Sequence, residues 1–94
     1  MKKMYAKISV IGTSTPILIQ EDGKTIYSDF ILNYDLVSNL VKLAHSNDVK
    51  EITLTGIGTY VEVMKDKLLK EYCTQYSTND IKISIENLSY DWFF

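Results

Sequence analysis

Residues 56–60, Gly-Ile-Gly-Thr-Tyr, stand where the strand-like run "EITLT" gives way to a helical pattern. At such a turn, backbone N–H groups point outward and the helix dipole favours negative charge. Gly56, Ile57, Gly58, Thr59 and Tyr60 are therefore a candidate cradle for a phosphate, a nucleotide or another small anion. The stretch lacks the lysine of a phosphate loop and the third glycine of a dinucleotide fingerprint. Glu62 would satisfy the same donors and repel a phosphate. Thr59 and Glu62 also have the spacing of a capping box. The residues favour a tight, capped corner, with anion binding as the alternative.

Other reactive side chains are sparse. His45 is the only histidine and Cys73 the only cysteine. His45 falls near the end of a helical stretch, where a charged imidazole suits the C-terminal dipole. Cys73 lies beside an apolar helical stripe, as a half-buried structural thiol does. A single cysteine permits no internal disulfide and no cysteine-based zinc motif, and suits a reducing compartment. The most unusual cluster is at the end of the sequence. Tyr90, Trp92, Phe93 and Phe94 all fall in the last five residues, and disordered segments are poor in aromatics. This stretch, part of a tail spanning 87–94, is expected to dock, either on its own domain or on a neighbour.

The elements that must position these residues are readable from period. "MYAKISVI" at 4–11 alternates as a half-buried strand, with Met4, Ala6, Ile8 and Val10 on one face. "GTSTP" reads as a turn, "ILIQ" as a second strand, "EDGK" as a tight hairpin turn and "TIYSDF" as a third strand. The period then becomes helical. Leu36, Val37, Leu40, Val41 and Ala44 form a stripe, with Asn33 or Asp35 as its cap and Asn47 as its stop. "EITLT" is a fourth strand. The second helix starts at Thr59 and carries Val61, Met64, Leu68, Tyr72 and Tyr76 on one face. "IKISI" at 81–85 is the last strand.

The order β-β-β-α-β-α-β over 94 residues implies one two-layer α/β domain. Its mixed sheet is expected in the order 3-2-1-4-5, with both helices on one face. The other face then carries Tyr5, Lys7, Ser9, Thr53, Thr55, Lys82 and Ser84, and is expected to hold Tyr27 as well. Tyr5, Tyr27, Tyr90, Trp92, Phe93 and Phe94 together make a candidate protein interface, with a homodimer or a host protein as its partner. A net charge of −2 argues against a grip on nucleic acid. No apolar run approaches a membrane span, so a soluble cytoplasmic protein is expected.

This order of elements resembles the ribonuclease H-like fold, shared by nucleases, recombinases and the halves of actin-like kinases. "ISVIGTSTPILIQEDGK" looks like the opening hairpin of actin-like tRNA-modification proteins, a family with aspartate where this chain has Gly12. In size, in Lys/Ile/Tyr/Asn-rich character and in "IKISIEN", the chain resembles small uncharacterised bacteriophage proteins, which implies the cytoplasm of a host. Nucleases of the fold place one acid on the first strand, one on the first helix and one at the end of the fourth strand, where they hold two metal ions. Here the first strand offers Lys7, Ser9 and Gly12, and the fourth ends in Thr55 and Gly56. Asp35 alone matches, while Asp29 and Asp91 approach the same end without the motif. The resemblance therefore implies the fold without its catalytic acids, metal or cofactor. A binding module is the first expectation, an anion-binding protein the second and a nuclease the third.

Overall fold

The computed structural model describes residues 1–8, 12–56 and 59–87. Five strands and two helices follow in the expected order: β1 (Lys2–Lys7), β2 (Ser14–Glu21), β3 (Lys24–Leu32), α1 (Leu36–Ser46), β4 (Glu51–Gly56), α2 (Thr59–Tyr76) and β5 (Lys82–Asn87). The sheet runs β3-β2-β1-β4-β5. The first three strands are an antiparallel meander, and β1–β4 and β4–β5 are parallel. The β2–β3 turn uses Asp22 (φ 52°) and Gly23 (φ 80°), the double positive φ that an Asp-Gly hairpin supplies.

Alternation decides which face is buried. Tyr27, Ile19, Met4, Ile52 and Ile83 form one continuous row across all five strands, and Asp29, Ile17, Ala6, Leu54 and Ile85 form the next. The inner members of these rows join Leu36, Leu40, Val41 and Ala44 of α1 and Val61, Met64, Leu68 and Tyr72 of α2 in one core. Both helices therefore cover this face, as the stripes require. Each fully buried aliphatic side chain contributes about 1.5–3 kcal/mol. α1 ends in a Schellman motif: Val49 N–H donates to the Ala44 carbonyl and Asp48 N–H to that of His45, with Asp48 at φ 56°.

Several boundaries differ from the sequence reading. β1 begins at Lys2 and ends at Lys7, and the proposed strand residues Ser9, Val10 and Ile11 lie outside the described residues. β2 begins at Ser14 and takes in Pro16. Pro16 sits beyond the last β1–β2 pair, Ala6–Ile17, where a missing N–H costs least. Asn33 is no helix cap. It opens a 3-10 turn, Asn33–Asp35, and Asp35 occupies the α1 cap position without a side-chain cap hydrogen bond. Asn47 does act as the stop, its side-chain amide donating to the Leu43 carbonyl at 2.9 Å.

Candidate functional site

Gly56 ends β4, buried beneath the start of α2. A Cβ there would collide with Cγ2 of Val61 and stand 3.0 Å from the Ile8 carbonyl oxygen. The glycine thus admits the first turn of α2 and the end of β1, so the space it leaves is filled by the chain itself. Thr59 is the first helical residue, so it stands inside the helix and not at the cap position that a capping box requires. Ile57 and Gly58 lie outside the described residues, while Thr59 and Tyr60 are exposed. Glu62 occupies the first turn as expected. Packing is therefore shown at Gly56, where the corner is filled.

The open face of the sheet has a sharper character. One row runs Ser28, Leu18, Tyr5, Thr53 and Ser84, and a second runs Gln20, Lys3, Glu51 and Lys82. Lys3 and Glu51 pair at 3.7 Å, an exposed contact worth under about 1 kcal/mol. At the far end, Phe30 is paired with Pro16 and Leu32 with Ser14 on one side, and Lys7, Thr55 and Glu86 follow each other on the other. The face is divided: Leu32, Phe30, Pro16 and Leu18 gather over one end of β3 and β2, while β4 and β5 present polar residues. Phe30 is 66% exposed and Leu32 50%, and large apolar side chains gathered in one exposed patch mark a contact surface. Tyr5, Lys7, Thr53, Thr55, Lys82 and Ser84 stand on this face as the alternation requires.

Tyr27 does not. It pairs with Ile19 and packs against the core on the helix side, facing away from Tyr5. β3 carries apolar residues on both alternate faces, so its sequence does not say which is inward. A bulge between the Ile19 and Gln20 registers obscures the phase further. The correction exposes what sequence reasoning missed: Phe30 and Leu32 are the large apolar residues that β3 presents on the open face. Tyr90, Trp92, Phe93 and Phe94 lie outside the described residues.

A third cluster joins the ends of the two helices. The His45 ring stacks on Tyr76, with centroids 3.6 Å apart and planes 2° from parallel. Tyr72 tilts against both. Burial pushes the Tyr72 hydroxyl above the ordinary tyrosine range, Lys50 opposes this, and Asp80, Tyr76 and Asp48 reinforce it. Lys50 itself bridges Asp80 at 3.3 Å and Asp48 at 3.6 Å. A raised Tyr72 pKa means the folded state keeps its proton longer than the unfolded state. Its contribution is complete below pH about 10 and is lost as the pH rises through and above that value. Urea titrations from pH 8 to 11 should therefore show stability falling above about pH 10, and the Tyr72→Phe variant should fall less steeply.

Carboxylates do not converge. Among the described residues no group of three His, Cys, Asp or Glu side chains is placed to hold a metal ion. Asp35 is exposed at the start of α1, and Asp29 lies on the helix side of β3. Asp91 falls outside the described residues. No helix among them is long and apolar enough to cross a membrane.

No family model and no curated protein matches the sequence. Solved structures do match the fold. A Bacteroides thetaiotaomicron protein of unknown function with an actin-like ATPase fold superposes with a TM-score of 0.66 at 20% identity, over 90% of this chain and 32% of that one. Archaeoglobus fulgidus Pelota gives 0.61 at 14% identity, over 94% of this chain and 27% of its own. A ROK hexokinase from Thermus thermophilus gives 0.57 at 12%, over 93% and 34%. The chain spans about a third of the length of these proteins. What it shares with them is the actin-like, ribonuclease H-like topology.

Proposed function

We propose that this domain is a non-enzymatic binding module, a small phage accessory protein that works by protein–protein contact through the open face of its sheet. The observation that carries the reading is the exposure of Phe30 and Leu32, beside Pro16 and Leu18 on a sheet face that neither helix covers. Aromatic and aliphatic side chains in such a patch are the usual anchors of protein interfaces. The aromatic residues Tyr90, Trp92, Phe93 and Phe94 supply further anchors of the same kind. The phage setting rests on the sequence character described above. The hexokinase and ATPase-fold neighbours are about three times as long, so their chemistry has no counterpart in this reading.

A photo-crosslinking residue at Leu18, on the open face, should form covalent adducts with a protein, either a second copy or a host protein. The same probe at Lys70, on the exposed side of α2, should form none. Equal labelling from both positions overturns the assignment of the surface. Native mass spectrometry showing added mass of a nucleotide or phosphate, lost in Gly58→Asp, would replace it with the anion-binding alternative.

A further inference from the structure

The apolar patch on the open face lies at the end of the sheet where β5 closes. β1, β4 and β5 are parallel, and β3 shares their direction across the antiparallel meander. Leu32 and Asn87 therefore stand at the same end. Their levels agree too. Asn87 pairs with Gly56 and Thr15 with Ile31, and carrying the β1 registers on to Ile8 joins Gly56 to Thr15. Asn87 is thus level with Ile31, between the exposed Phe30 and Leu32. A line from Asn87 straight across the strands meets the patch.

The chain that follows has the length for that crossing. Four strand spacings separate β5 from β3, about 19 Å in all. Seven residues follow Asn87, namely Leu88-Ser89-Tyr90-Asp91-Trp92-Phe93-Phe94, and in extended form they reach about 23 Å. Trp92 arrives at about 17 Å, between β2 at about 14 Å and β3 at about 19 Å. That is the position of the Pro16–Phe30 pair. The residue types alternate as well: Leu88, Tyr90, Trp92 and Phe94 share one side of an extended segment, and Ser89 and Asp91 fall on the other. Such alternation suits a segment lying with one side on an apolar surface.

We propose that residues 88–94 cross the open face of their own domain and cover Pro16, Phe30 and Leu32, with Trp92 as the anchor. Leu88 and Tyr90 pass over β4 and β1, and Ser89 and Asp91 face water. Attachment at Asn87 gives the segment an effective concentration in the millimolar range, which the same segment of a second copy does not match in dilute solution. The cover goes beyond the binding-module reading and does not depend on it. Where that reading holds, a protein partner reaches Phe30 and Leu32 only by lifting Trp92.

Trp92 is the only tryptophan, so its fluorescence reports the contact in the full chain. Wild-type emission should be blue-shifted, weakly quenched by acrylamide and independent of protein concentration. Phe30→Lys and Leu32→Lys together should shift the emission to that of solvent-exposed indole and raise the quenching constant severalfold. Both positions are exposed, so circular dichroism should be unchanged. Val63→Lys, at an exposed apolar site on α2, should leave the emission where it was. A solvent-exposed Trp92 in the wild type overturns the proposal, and so does burial indifferent to the two lysines. Burial that appears only as the protein self-associates overturns it as well. The probe at Leu18 separates the two readings. If Trp92 is exposed and adducts still form, the cover fails and the binding module stands; if Trp92 is buried and none form, the cover stands and the binding module fails.

Discussion

Gly56→Ala should destabilise the domain by about 2–3 kcal/mol, the upper part of the range of about 1–3 kcal/mol in which overpacking a filled core falls. The added methyl meets Cγ2 of Val61 and lies 3.0 Å from the Ile8 carbonyl oxygen. Val61 is buried in the core, and the carbonyl belongs to a backbone held by the bond from Ile8 N–H to Thr55 O at 2.7 Å. Neither neighbour moves freely. Urea denaturation should show a lower midpoint with an unchanged slope. The double variant with Val61→Ala should lose less than the sum of the two single changes, because the smaller side chain vacates the space the methyl needs. If Gly56 served only a ligand, the alanine variant would keep its stability, and that result would sink the packed-corner reading.

Asn33→Ala should cost about 2 kcal/mol, although Asn33 only opens a short 3-10 turn. Thr15 is fully buried, and its hydroxyl donates to Asn33 Oδ1 at 2.7 Å. The Asn33 amide donates to the Gly12 carbonyl at 2.6 Å, and its backbone N–H donates to the Thr13 carbonyl at 2.9 Å. One residue therefore ties the end of β3 to the start of β2. Truncation strands the Thr15 hydroxyl in the core, where an unmet donor costs more than the bond itself is worth. In a double-mutant cycle, Thr15→Val should cost little once Asn33 is alanine. Additive costs would mean that the two side chains act independently.

These residues also show where the sequence could be read and where it could not. The alternation of Met4, Ala6 and Ile8, or of Ile52 and Leu54, is set by burial of one face, so strand order and helix placement followed from it. The Leu36–Ala44 and Val61–Tyr72 stripes were equally plain. Asn33 was misread because a cap and a tether use the same side-chain oxygen, and only the fold brings Thr15 to it. Tyr27 was misplaced because β3 is apolar on both sides and bulged. The role of Gly56 depends on Val61 and on distant Ile8, which no local pattern announces. The stacking of His45 on Tyr76 likewise joins two helices through tertiary packing alone. Tyr90, Trp92, Phe93 and Phe94 lie outside the described residues, so the surface assignment rests on Phe30 and Leu32.

The two halves of the sheet differ in how far apart in the chain their partners are. Every pairing in the meander joins neighbours in sequence, across a two-residue turn or a short loop. Met4, by contrast, must find Ile52, with two strands and α1 already threaded between them. Such closures set the pace of folding, because chain entropy is lost before any contact repays it. The meander is the natural early unit of this protein, and α1 delivers β4 to it. Until β4 docks, the edge of β1 stands open on one side of the meander and the outer edge of β3 on the other. The slow step thus coincides with the moment at which the chain presents two edges to its surroundings.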